Sequence, residues 1–321
     1  MSYAYYPGCS LTHSAEPYDL STRAICEAFG LALAEIDDWN CCGATEYISI
    51  NKAGAYGLVG RNLALASEQE GVRELVAPCS ACYLNLRKVD HNMGVYPSIE
   101  AMTNYALAAG GLHYTPGSLH IRHLLDVVVE DVGYDAIAAK VVRKLDGLRL
   151  APYYGCLIVR PQINGGTADP EYPTHLDRLL MTIGAEVVDF PLKTHCCGGH
   201  MSQISAETAY ELIRHLLQNA ADYDADAIVC ACPMCQFNLD AFQSQVNRHF
   251  GTDYNIPVLY FTQMIGLALG MEAEELGIGR EVVAADAALA KIGSAVPEVA
   301  APRRPRRDDK ALPMPRRREE V

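Results

Sequence analysis

Two five-residue stretches organise the chain: Asn40-Cys41-Cys42-Gly43-Ala44 and His195-Cys196-Cys197-Gly198-Gly199. Each follows a Gly-Cys pair and precedes a Cys-x-x-Cys. The first set is completed by Gly8-Cys9 and Cys79-Ser80-Ala81-Cys82, and the second by Gly155-Cys156 and Cys232-Pro233-Met234-Cys235. Matching members lie nearly half the chain apart, and ten of the 12 cysteines belong to the pattern. Chance would hardly produce this arrangement, so the sequence indicates a duplication.

The composition is that of a globular protein. The 321 residues include 50% hydrophobic residues, enough for a full core, and the duplication favours two similar halves. The amino terminus has neither a basic start nor an apolar run, so we expect no signal peptide. The longest apolar stretch, 257–270, is shorter than the roughly 20 residues that a membrane-spanning helix needs. We therefore predict a cytoplasmic protein with reduced thiols and no transmembrane segment.

The net charge of −13 is unevenly distributed along the chain. The acidic body argues against general nucleic-acid binding, because contacts to phosphate need a basic surface. In contrast, the Pro/Arg-rich segment 301–321 contains eight basic and four acidic residues. We predict this segment to be disordered. This tail is either a solvated extension, the interpretation we favour, or a docking arm for an acidic partner or anionic lipid.

Each group of cysteines follows a short strand candidate. Strands are predicted at 3–6, 33–36, 74–77, 148–154, 186–190 and 227–231, with helices between them at 11–29, 44–70, 83–92, 172–183 and 202–219. This alternation predicts an α/β fold with two pseudo-symmetric halves and parallel, Rossmann-like sheets. All cysteine clusters then lie at the carboxyl ends of strands, the edge where ligands collect in open α/β sheets.

The same pattern predicts a division into segments. The first Cys-Cys-Gly half covers 1–95 and the second covers 148–270. A helical linking region is expected at 96–147, with helical patterns at 101–109, 119–132 and 136–145. The composition of 272–292 predicts a helical cap within 271–300, ahead of the tail.

Five reduced cysteines in each half indicate a metal, either zinc or iron-sulfur. A structural zinc site takes four ligands, commonly from two Cys-x-x-Cys pairs, and each half has one such pair. A cubane [4Fe-4S] cluster also takes four cysteines. A thiol-only redox protein is a third alternative. The glycines beside the cysteines permit positive φ and let backbone N–H groups approach sulfur, although ordinary turns use glycine too.

The duplicated signature, without a ferredoxin-like segment, resembles the B subunit of heterodisulfide reductase and its bacterial relatives. The resemblance covers roughly 3–260 and fills all ten motif positions. It implies that each half holds a non-cubane [4Fe-4S] cluster through five cysteines. One implied ligand set is Cys9, Cys41, Cys42, Cys79 and Cys82. The other is Cys156, Cys196, Cys197, Cys232 and Cys235. Cys26 and Cys230 fall outside the motif and are expected in the core.

The resemblance also implies a mechanism and partners. Two clusters would face each other across a cavity, and one electron from each would cleave a bound disulfide. Electrons would come from a partner with cubane [4Fe-4S] clusters, similar to the family's C subunit, itself supplied by a flavin protein similar to its A subunit. Related bacterial complexes are thought to oxidise sulfur on a lipoyl carrier. This chain has no spare cysteines for a cubane relay and no flavin fingerprint.

His195 and Lys193 are the candidate catalytic residues outside the cysteines. A histidine beside a cluster could tune its potential or protonate a departing thiolate, whereas the alternative is a loop histidine that faces solvent. Three further residues are candidates for the cavity wall: His13, Asn40 and His200. Three histidines of the linking region are expected at the surface or in the core: His113, His120 and His123. A phosphate role is not favoured for Gly165-Gly166-Thr167.

We therefore expect the catalytic iron-sulfur subunit of a heterodisulfide-reductase-like complex, acting on a disulfide, a thiol or carrier-bound sulfur. The alternative is an electron-carrying iron-sulfur subunit of a glycolate-, lactate- or succinate-oxidising complex, in which Cys-Cys-Gly modules also occur. A zinc-stabilised scaffold is the non-redox alternative.

Overall fold

The structure is a computed structural model that describes residues 2–44, 47–163 and 169–294. The predicted basic tail and the Gly165-Gly166-Thr167 turn lie outside the described residues.

Eight short strands of the described residues form two four-stranded sheets. Every neighbouring pair is parallel, in the orders β2-β1-β3-β4 and β6-β5-β7-β8. The strands are β1 (Ser2–Tyr5), β2 (Ala32–Glu35), β3 (Glu74–Ala77), β4 (His120–His123), β5 (Arg149–Tyr153), β6 (Glu186–Val187), β7 (Ala227–Cys230) and β8 (Val258–Tyr260). The two halves thus share one topology, and the prediction of an α/β fold with two pseudo-symmetric halves is confirmed.

Helices connect the strands. They are α1 (Gly8–Leu11), α2 (Glu16–Phe29), α3 (Tyr47–Ile50), α4 (Lys52–Ser67), α5 (Ser80–Val95), α6 (Pro97–Ala108), α7 (Leu124–Val127), α8 (Tyr134–Lys140), α9 (His175–Thr182), α10 (Met201–Ile204), α11 (Ala206–Asp222), α12 (Pro233–Ala241), α13 (Gln243–Phe250), α14 (Phe261–Ala268) and α15 (Asp286–Leu289). A π-helical segment, Val128–Gly133, follows α7. Helix α2 begins at Glu16-Pro17, because proline is pre-organised for a first turn, and ends at Gly30, whose φ is 69°.

Strand β4 corrects the prediction for the linking region. A helix was expected over 119–132, but His120–His123 is a strand that pairs with β3, with Leu75 opposite Ile121. Region 96–147 therefore supplies the fourth strand of the first sheet instead of only connecting the halves. Strand β8 is its counterpart in the second sheet. The other segment boundaries stay predictions.

The C-terminal segment is less helical than predicted. Within 271–294 the structure has turns and one four-residue helix, α15, instead of a helix over 272–292. The segment nevertheless packs tightly: Leu276 is fully buried, and its carbonyl accepts a hydrogen bond from Gln263 at 3.1 Å. Arg280 forms an ion pair with Glu16 at 2.7 Å, so this segment connects the second half to α2 of the first half.

Helix α2 of the first half packs against β8 and α14 of the second. The rings of Tyr18 and Tyr260 stack with centroids 4.2 Å apart, and the hydroxyls of Ser21 and Thr262 hydrogen-bond at 2.6 Å. All four residues are buried. Stacked buried aromatic rings contribute about 0.5–1.5 kcal/mol beyond their burial. These contacts fix the position of the cysteine-bearing edge of one sheet relative to that of the other.

Candidate metal centre

Every cysteine group lies just beyond the carboxyl end of a strand. In the first half the groups follow β1, β2 and β3, and in the second half they follow β5, β6 and β7. The strand order reverses between β1 and β3, and again between β5 and β7. In open α/β sheets the crevice at such a switch point is the usual ligand site. Cys9 and Cys79 flank the first switch point, whereas Cys156 and Cys232 flank the second.

The sulfur atoms of the first half approach one another in pairs. Sγ of Cys41 lies 3.7 Å from Sγ of Cys9, and Sγ of Cys42 lies 3.5 Å from Sγ of Cys82. Cys9 and Cys41 are exposed, whereas the other three cysteines of this half are buried. The site therefore has an open side, formed by the first pair, and a closed side within the core.

The second half repeats this arrangement. Cys196 lies beside Cys156 and Cys197 beside Cys235, close enough for the pKa of Cys196 and that of Cys235 to be shifted by these neighbours. Cys196 is exposed and Cys156 is half-buried, whereas Cys197, Cys232 and Cys235 are buried. The backbone N–H that follows each Cys-Cys pair also repeats. The amide of Gly43 donates to Cys41 Sγ at 3.4 Å, and the amide of Gly198 donates to Cys196 Sγ at 3.3 Å.

Two glycines make room for the buried sulfurs. Gly8 and Gly155 have φ values of 73° and 71°, which L side chains rarely adopt. A Cβ atom at Gly8 would lie 2.9 Å from Sγ of Cys82, and one at Gly155 would lie 2.9 Å from Sγ of Cys235. Both distances are shorter than van der Waals contact. The backbone of each loop is therefore shaped around cysteine sulfur, which fits the iron-sulfur group that the cysteine pattern implies.

The electrostatics of these cysteines favour thiolates at selected positions. Cys79 and Cys232 are the N-cap residues of α5 and α12, where backbone N–H groups and the helix dipole favour an anion. At Cys79 this effect is outweighed, because the interaction with Cys232 and burial raise the pKa of Cys79 well above its usual range. Hydrogen bonds from Cys235 and Cys79 hold the pKa of Cys232 well below its usual range. The hydrogen bond from Cys156 and the backbone N–H of Gly198 lower the pKa of Cys196 to about 6. Deprotonated sulfurs are the ligands that iron binds.

A buried tyrosine supports each Cys-Cys loop. The hydroxyl of Tyr6 donates to the carbonyl of Asn40 at 2.7 Å, and that of Tyr153 donates to the carbonyl of His195 at 2.7 Å. Asn40 and His195 each directly precede a cysteine pair. Tyr6 and Tyr153 each stand two residues before a motif glycine, Gly8 or Gly155. This repeat is the feature of the sequence that could have identified them as part of the site.

A buried asparagine holds each Cys-Cys-Gly turn from the other side. Asn85 Nδ2 donates to the carbonyl of Cys42 at 3.4 Å and contacts its Sγ at 3.6 Å. Asn238 Nδ2 donates to the carbonyl of Cys197 at 3.1 Å and contacts its Sγ at 3.6 Å. Sequence reasoning did not single out these residues as part of the site, although a Cys-x-x-Asn occurs in both halves.

The two sites meet at the junction of the halves. Cys79 of the first half lies close enough to Cys232 of the second for each to shift the pKa of the other. The carbonyl of Ala231, next to Cys232, lies 3.2 Å from His123 Nε2 and 3.3 Å from the Ser80 hydroxyl. The Leu125 N–H donates to His123 Nδ1 at 3.0 Å, so Nε2 carries the proton and donates to Ala231. Burial lowers the pKa of His123 to about 4, which keeps the ring neutral.

The two candidate catalytic residues outside the cysteines have different surroundings. His195 is exposed beside the second cysteine pair, open to a ligand from solvent. Lys193 is fully buried, and its Nζ lies 2.8 Å from Asp177 and 3.6 Å from the Tyr172 ring centroid. Its carbonyl also accepts from the Gly155 N–H at 3.1 Å. These contacts favour a positioning role for Lys193, and the catalytic roles of both residues stay predictions.

The remaining candidates lie at the rim or in the core. His13 Nδ1 lies 3.2 Å from the carbonyl of Cys9, and Asn40 Nδ2 donates to the carbonyl of Cys41 at 2.9 Å. His200 is half-buried beyond the second pair. Cys26 and Cys230 are buried, as expected, and Cys230 Sγ lies 3.8 Å from the carbonyl of Cys232.

Two features are absent from the described part of the chain. Residues 2–44, 47–163 and 169–294 contain no group of three or more His, Cys, Asp or Glu side chains placed to hold a single metal ion. Among the same residues no helix has the length and apolar character needed to cross a membrane.

The fold and the paired sulfurs define a class: proteins in which two copies of a cysteine-rich α/β domain present cysteines at the switch point of each sheet. A family model, "Cysteine-rich domain" (CCG), matches residues 3–87 and 150–240. The chain belongs to this CCG family. The resemblance predicted from the cysteine pattern is thereby confirmed, and with it a coarse role as an iron-sulfur oxidoreductase subunit.

Named relatives match nearly the whole chain. One is 8-methylmenaquinol:fumarate reductase membrane anchor subunit of Wolinella succinogenes, 32% identical over 88% of this chain and 96% of the relative. Another is the B subunit of the ferredoxin:CoB-CoM heterodisulfide reductase of Methanosarcina mazei, 31% identical over 89% of this chain and 95% of the relative. A protein of Archaeoglobus profundus, named as similar to the heterodisulfide reductase B subunit, is 29% identical over 86% and 93%.

A solved structure shares the fold. The crystal structure of a hypothetical protein from Helicobacter pylori superposes with a TM-score of 0.72 at 16% sequence identity. The match covers 88% of this chain and 52% of that chain, so this chain spans about half of it. At this level of identity the likeness concerns the fold alone.

Proposed function

We propose that the chain is the catalytic iron-sulfur subunit of a heterodisulfide-reductase-like complex. It reduces or oxidises a disulfide, a thiol or carrier-bound sulfur at two non-cubane [4Fe-4S] clusters. The observation that carries the proposal is the repetition, in two halves that meet at Cys79 and Cys232, of a five-cysteine site with one open and one closed side. Two relatives named as B subunits of heterodisulfide reductases support it.

The five cysteines of each half would hold one cluster. The first set is Cys9, Cys41, Cys42, Cys79 and Cys82, and the second is Cys156, Cys196, Cys197, Cys232 and Cys235. When bound, two such clusters would exchange one electron each with a sulfur substrate. Reductive cleavage of a disulfide breaks the S–S bond, consumes two electrons and two protons, and yields two thiols.

The residues of the chain have four tasks in this reaction. Gly8 and Gly155 leave the space that the buried sulfurs occupy. The more open cysteines, Cys41 and Cys196, lie on the side from which a substrate arrives. His195, exposed beside Cys196, is placed to supply or accept a proton at a substrate sulfur. Lys193 fixes the loop that carries His195 through its ion pair with Asp177.

Electrons have to come from, or go to, other proteins of the complex. Apart from the ten motif positions the chain has Cys26 and Cys230, both buried in the core. The proposed partners are one protein with cubane [4Fe-4S] clusters and one flavin protein, and the proposed substrate includes a lipoyl carrier. A cytoplasmic location belongs to the same proposal.

A second candidate is an electron-carrying iron-sulfur subunit of a complex that oxidises or reduces a substrate without sulfur. The relative from W. succinogenes, named as part of a fumarate reductase, favours this candidate. In that role the clusters would carry electrons without binding a sulfur substrate.

Electron paramagnetic resonance with a thiol separates the two candidates. The protein is purified without oxygen, oxidised mildly, and measured with and without a dithiol such as dihydrolipoamide. A new signal that requires the thiol supports catalysis on sulfur. An iron-loaded protein whose spectrum is unchanged by the thiol overturns the catalytic proposal and favours the electron carrier.

A further inference from the structure

A matched pair of asparagines contacts the two metal centres in the same way. Asn85 lies three residues after Cys82 and Asn238 three residues after Cys235, in the helix that begins inside each Cys-x-x-Cys. Their side chains are 8% and 1% exposed. A buried amide needs partners for its N–H groups. In both halves these partners are atoms of the Cys-Cys-Gly turn.

The turn supplies acceptors of two kinds. The first kind is backbone carbonyls: Asn85 donates to Cys42 and Ala44, and Asn238 donates to Cys197 and Gly199, the last at 2.8 Å. The second kind is sulfur. The Nδ2 to Sγ distance is 3.6 Å in both halves, for Cys42 and for Cys197.

The turn that these donors hold has a left-handed backbone in both halves. Ala44 has a φ of 48°, in the left-handed region that alanine avoids, and Gly43 before it has a φ of 76°. The equivalent residues, Gly198 and Gly199, have φ values of 93° and 51°. The first half therefore keeps this left-handed turn with alanine where the second half has glycine. The hydrogen bond from Asn85 to the Ala44 carbonyl helps to hold Ala44 in this strained conformation, and Asn238 makes the same bond to Gly199, which is not strained.

The divergence of the two halves makes the match informative. From the second cysteine of the Cys-x-x-Cys onward, the halves read Cys82-Tyr83-Leu84-Asn85-Leu86-Arg87 and Cys235-Gln236-Phe237-Asn238-Leu239-Asp240. Only Cys, Asn and Leu coincide. The leucine is a core residue in both halves, so packing explains it. The asparagine makes the same three contacts twice, which packing does not require.

We propose that Asn85 and Asn238 are positioning residues that set the reduction potential of the two iron-sulfur centres by donating a hydrogen bond to Cys42 and Cys197. The inference rests on the proposed function, because it needs a cluster in each half. A hydrogen bond to a ligand sulfur stabilises the more negative, reduced state, so it raises the potential. Asn85 would act on the first centre and Asn238 on the second.

The duplication provides the test. Asn85→Leu and Asn238→Leu keep the side-chain volume and remove the donor. The full iron-loaded chain is titrated electrochemically and followed by electron paramagnetic resonance. Each substitution should lower one reduction step and leave the other unchanged. The expected size is about tenfold in the ratio of reduced to oxidised centre, or about 59 mV for a one-electron step.

Gln243→Leu is the matched control. Gln243 is a buried amide of the second half whose Nε2 also donates to two carbonyls, those of Leu239 at 2.8 Å and Ile256 at 2.7 Å. Neither carbonyl belongs to a cysteine turn. The control should lose stability without moving either reduction step, so an equal shift in Gln243→Leu and Asn238→Leu would assign the effect to packing and overturn the inference.

The outcomes separate this inference from the function it rests on. If the variants are iron-loaded and both of their reduction potentials equal those of the wild type, the inference is overturned and the proposed function still stands. A wild-type protein without iron overturns the proposed function and the inference together. If one leucine variant fails to fold, the other tests the same claim in the opposite half.

Discussion

Gly155→Ala should remove one iron-sulfur centre and leave the other in place. The added methyl group meets two obstacles, of which the first is the backbone: φ is 71°, and an L residue costs roughly 1–2 kcal/mol in this region. The second is the contact of 2.9 Å between the new Cβ and Sγ of Cys235. To reach an ordinary contact of about 3.6 Å, the sulfur has to retreat by about 0.7 Å.

That displacement is large for a metal ligand. Metal–ligand distances tolerate about 0.2 Å, so Cys235 is expected to leave the second centre. Gly251→Ala is the control: its φ is 67°, and nothing lies within 4 Å of the added Cβ. It carries the same backbone cost without the clash.

The assay is iron per chain after purification without oxygen, with visible absorption as a second readout. We expect about eight irons for the wild type and for Gly251→Ala, and about four for Gly155→Ala. Gly8→Ala should likewise halve the iron through Cys82, which lies 2.9 Å from a Cβ at that position. Equal iron in Gly155→Ala and Gly251→Ala would refute the reasoning.

Three further substitutions or pH measurements test other parts of the site. Lys193→Met removes the buried cation that pairs with Asp177, which keeps its hydrogen bond from the Tyr154 hydroxyl, and should cost about 3 kcal/mol, a fall in Tm of about 5–10 °C at unchanged iron content; an unchanged Tm would contradict the positioning role. His195→Ala should keep its iron while kcat falls about 100-fold, because His195 is exposed and its side chain is assigned only the proton transfer; a parallel loss of iron would contradict that assignment. In the iron-free protein the pKa of Cys196 is lowered to about 6, so its thiolate persists as the pH falls from 8 to 6. Its alkylation at pH 6 should then be about tenfold faster than that of an ordinary thiol, after allowing for the weaker nucleophilicity of a low-pKa thiolate. Mass spectrometry measures this rate, with buried Cys26, whose pKa is raised to about 12, as the internal control; equal rates at both cysteines would contradict it.

The cysteine pattern predicted most of the fold because each cysteine group ends a strand. Strand β3, Glu74–Ala77, lies where it was predicted, since Pro78 and Cys79 terminate a short apolar run. The fourth strands were missed for a physical reason. Strand β4 reads His-Ile-Arg-His, which has one β-branched residue, and β8 continues directly into the apolar helix α14. Neither strand is followed by a cysteine or a glycine.

The prediction of a helix over 272–292 was wrong because it rested on amino-acid composition alone. Its alanines and glutamates favour helix, but the turns of this segment are held by tertiary contacts. The backbone N–H groups of Val282 and Val283 donate to Asp240 at 2.8 and 2.9 Å, and Leu276 fills the space beside Gly266. Such contacts join residues far apart in the chain, so a local pattern does not reveal them.

Some residues of the candidate site were likewise predictable from the sequence, and others were not. The ten cysteines were visible as a repeat, whereas Asn85 and Asn238 were overlooked because a single matching residue is a weak signal. Lys193 was predicted from its position two residues before His195. Its contact with Asp177 requires helix α9 to pack against the loop that carries Lys193, and no sequence pattern reveals that packing. A pattern thus locates the ligands, but the orientation of their neighbours depends on tertiary packing.

The central claim is that each half holds its own iron-sulfur cluster. Iron, acid-labile sulfide and zinc per chain, measured on protein purified without oxygen, test it most directly. The account predicts about eight irons, about eight sulfides and no stoichiometric zinc. Stoichiometric zinc without iron, or about four irons that survive in Gly8→Ala and in Gly155→Ala alike, would contradict it.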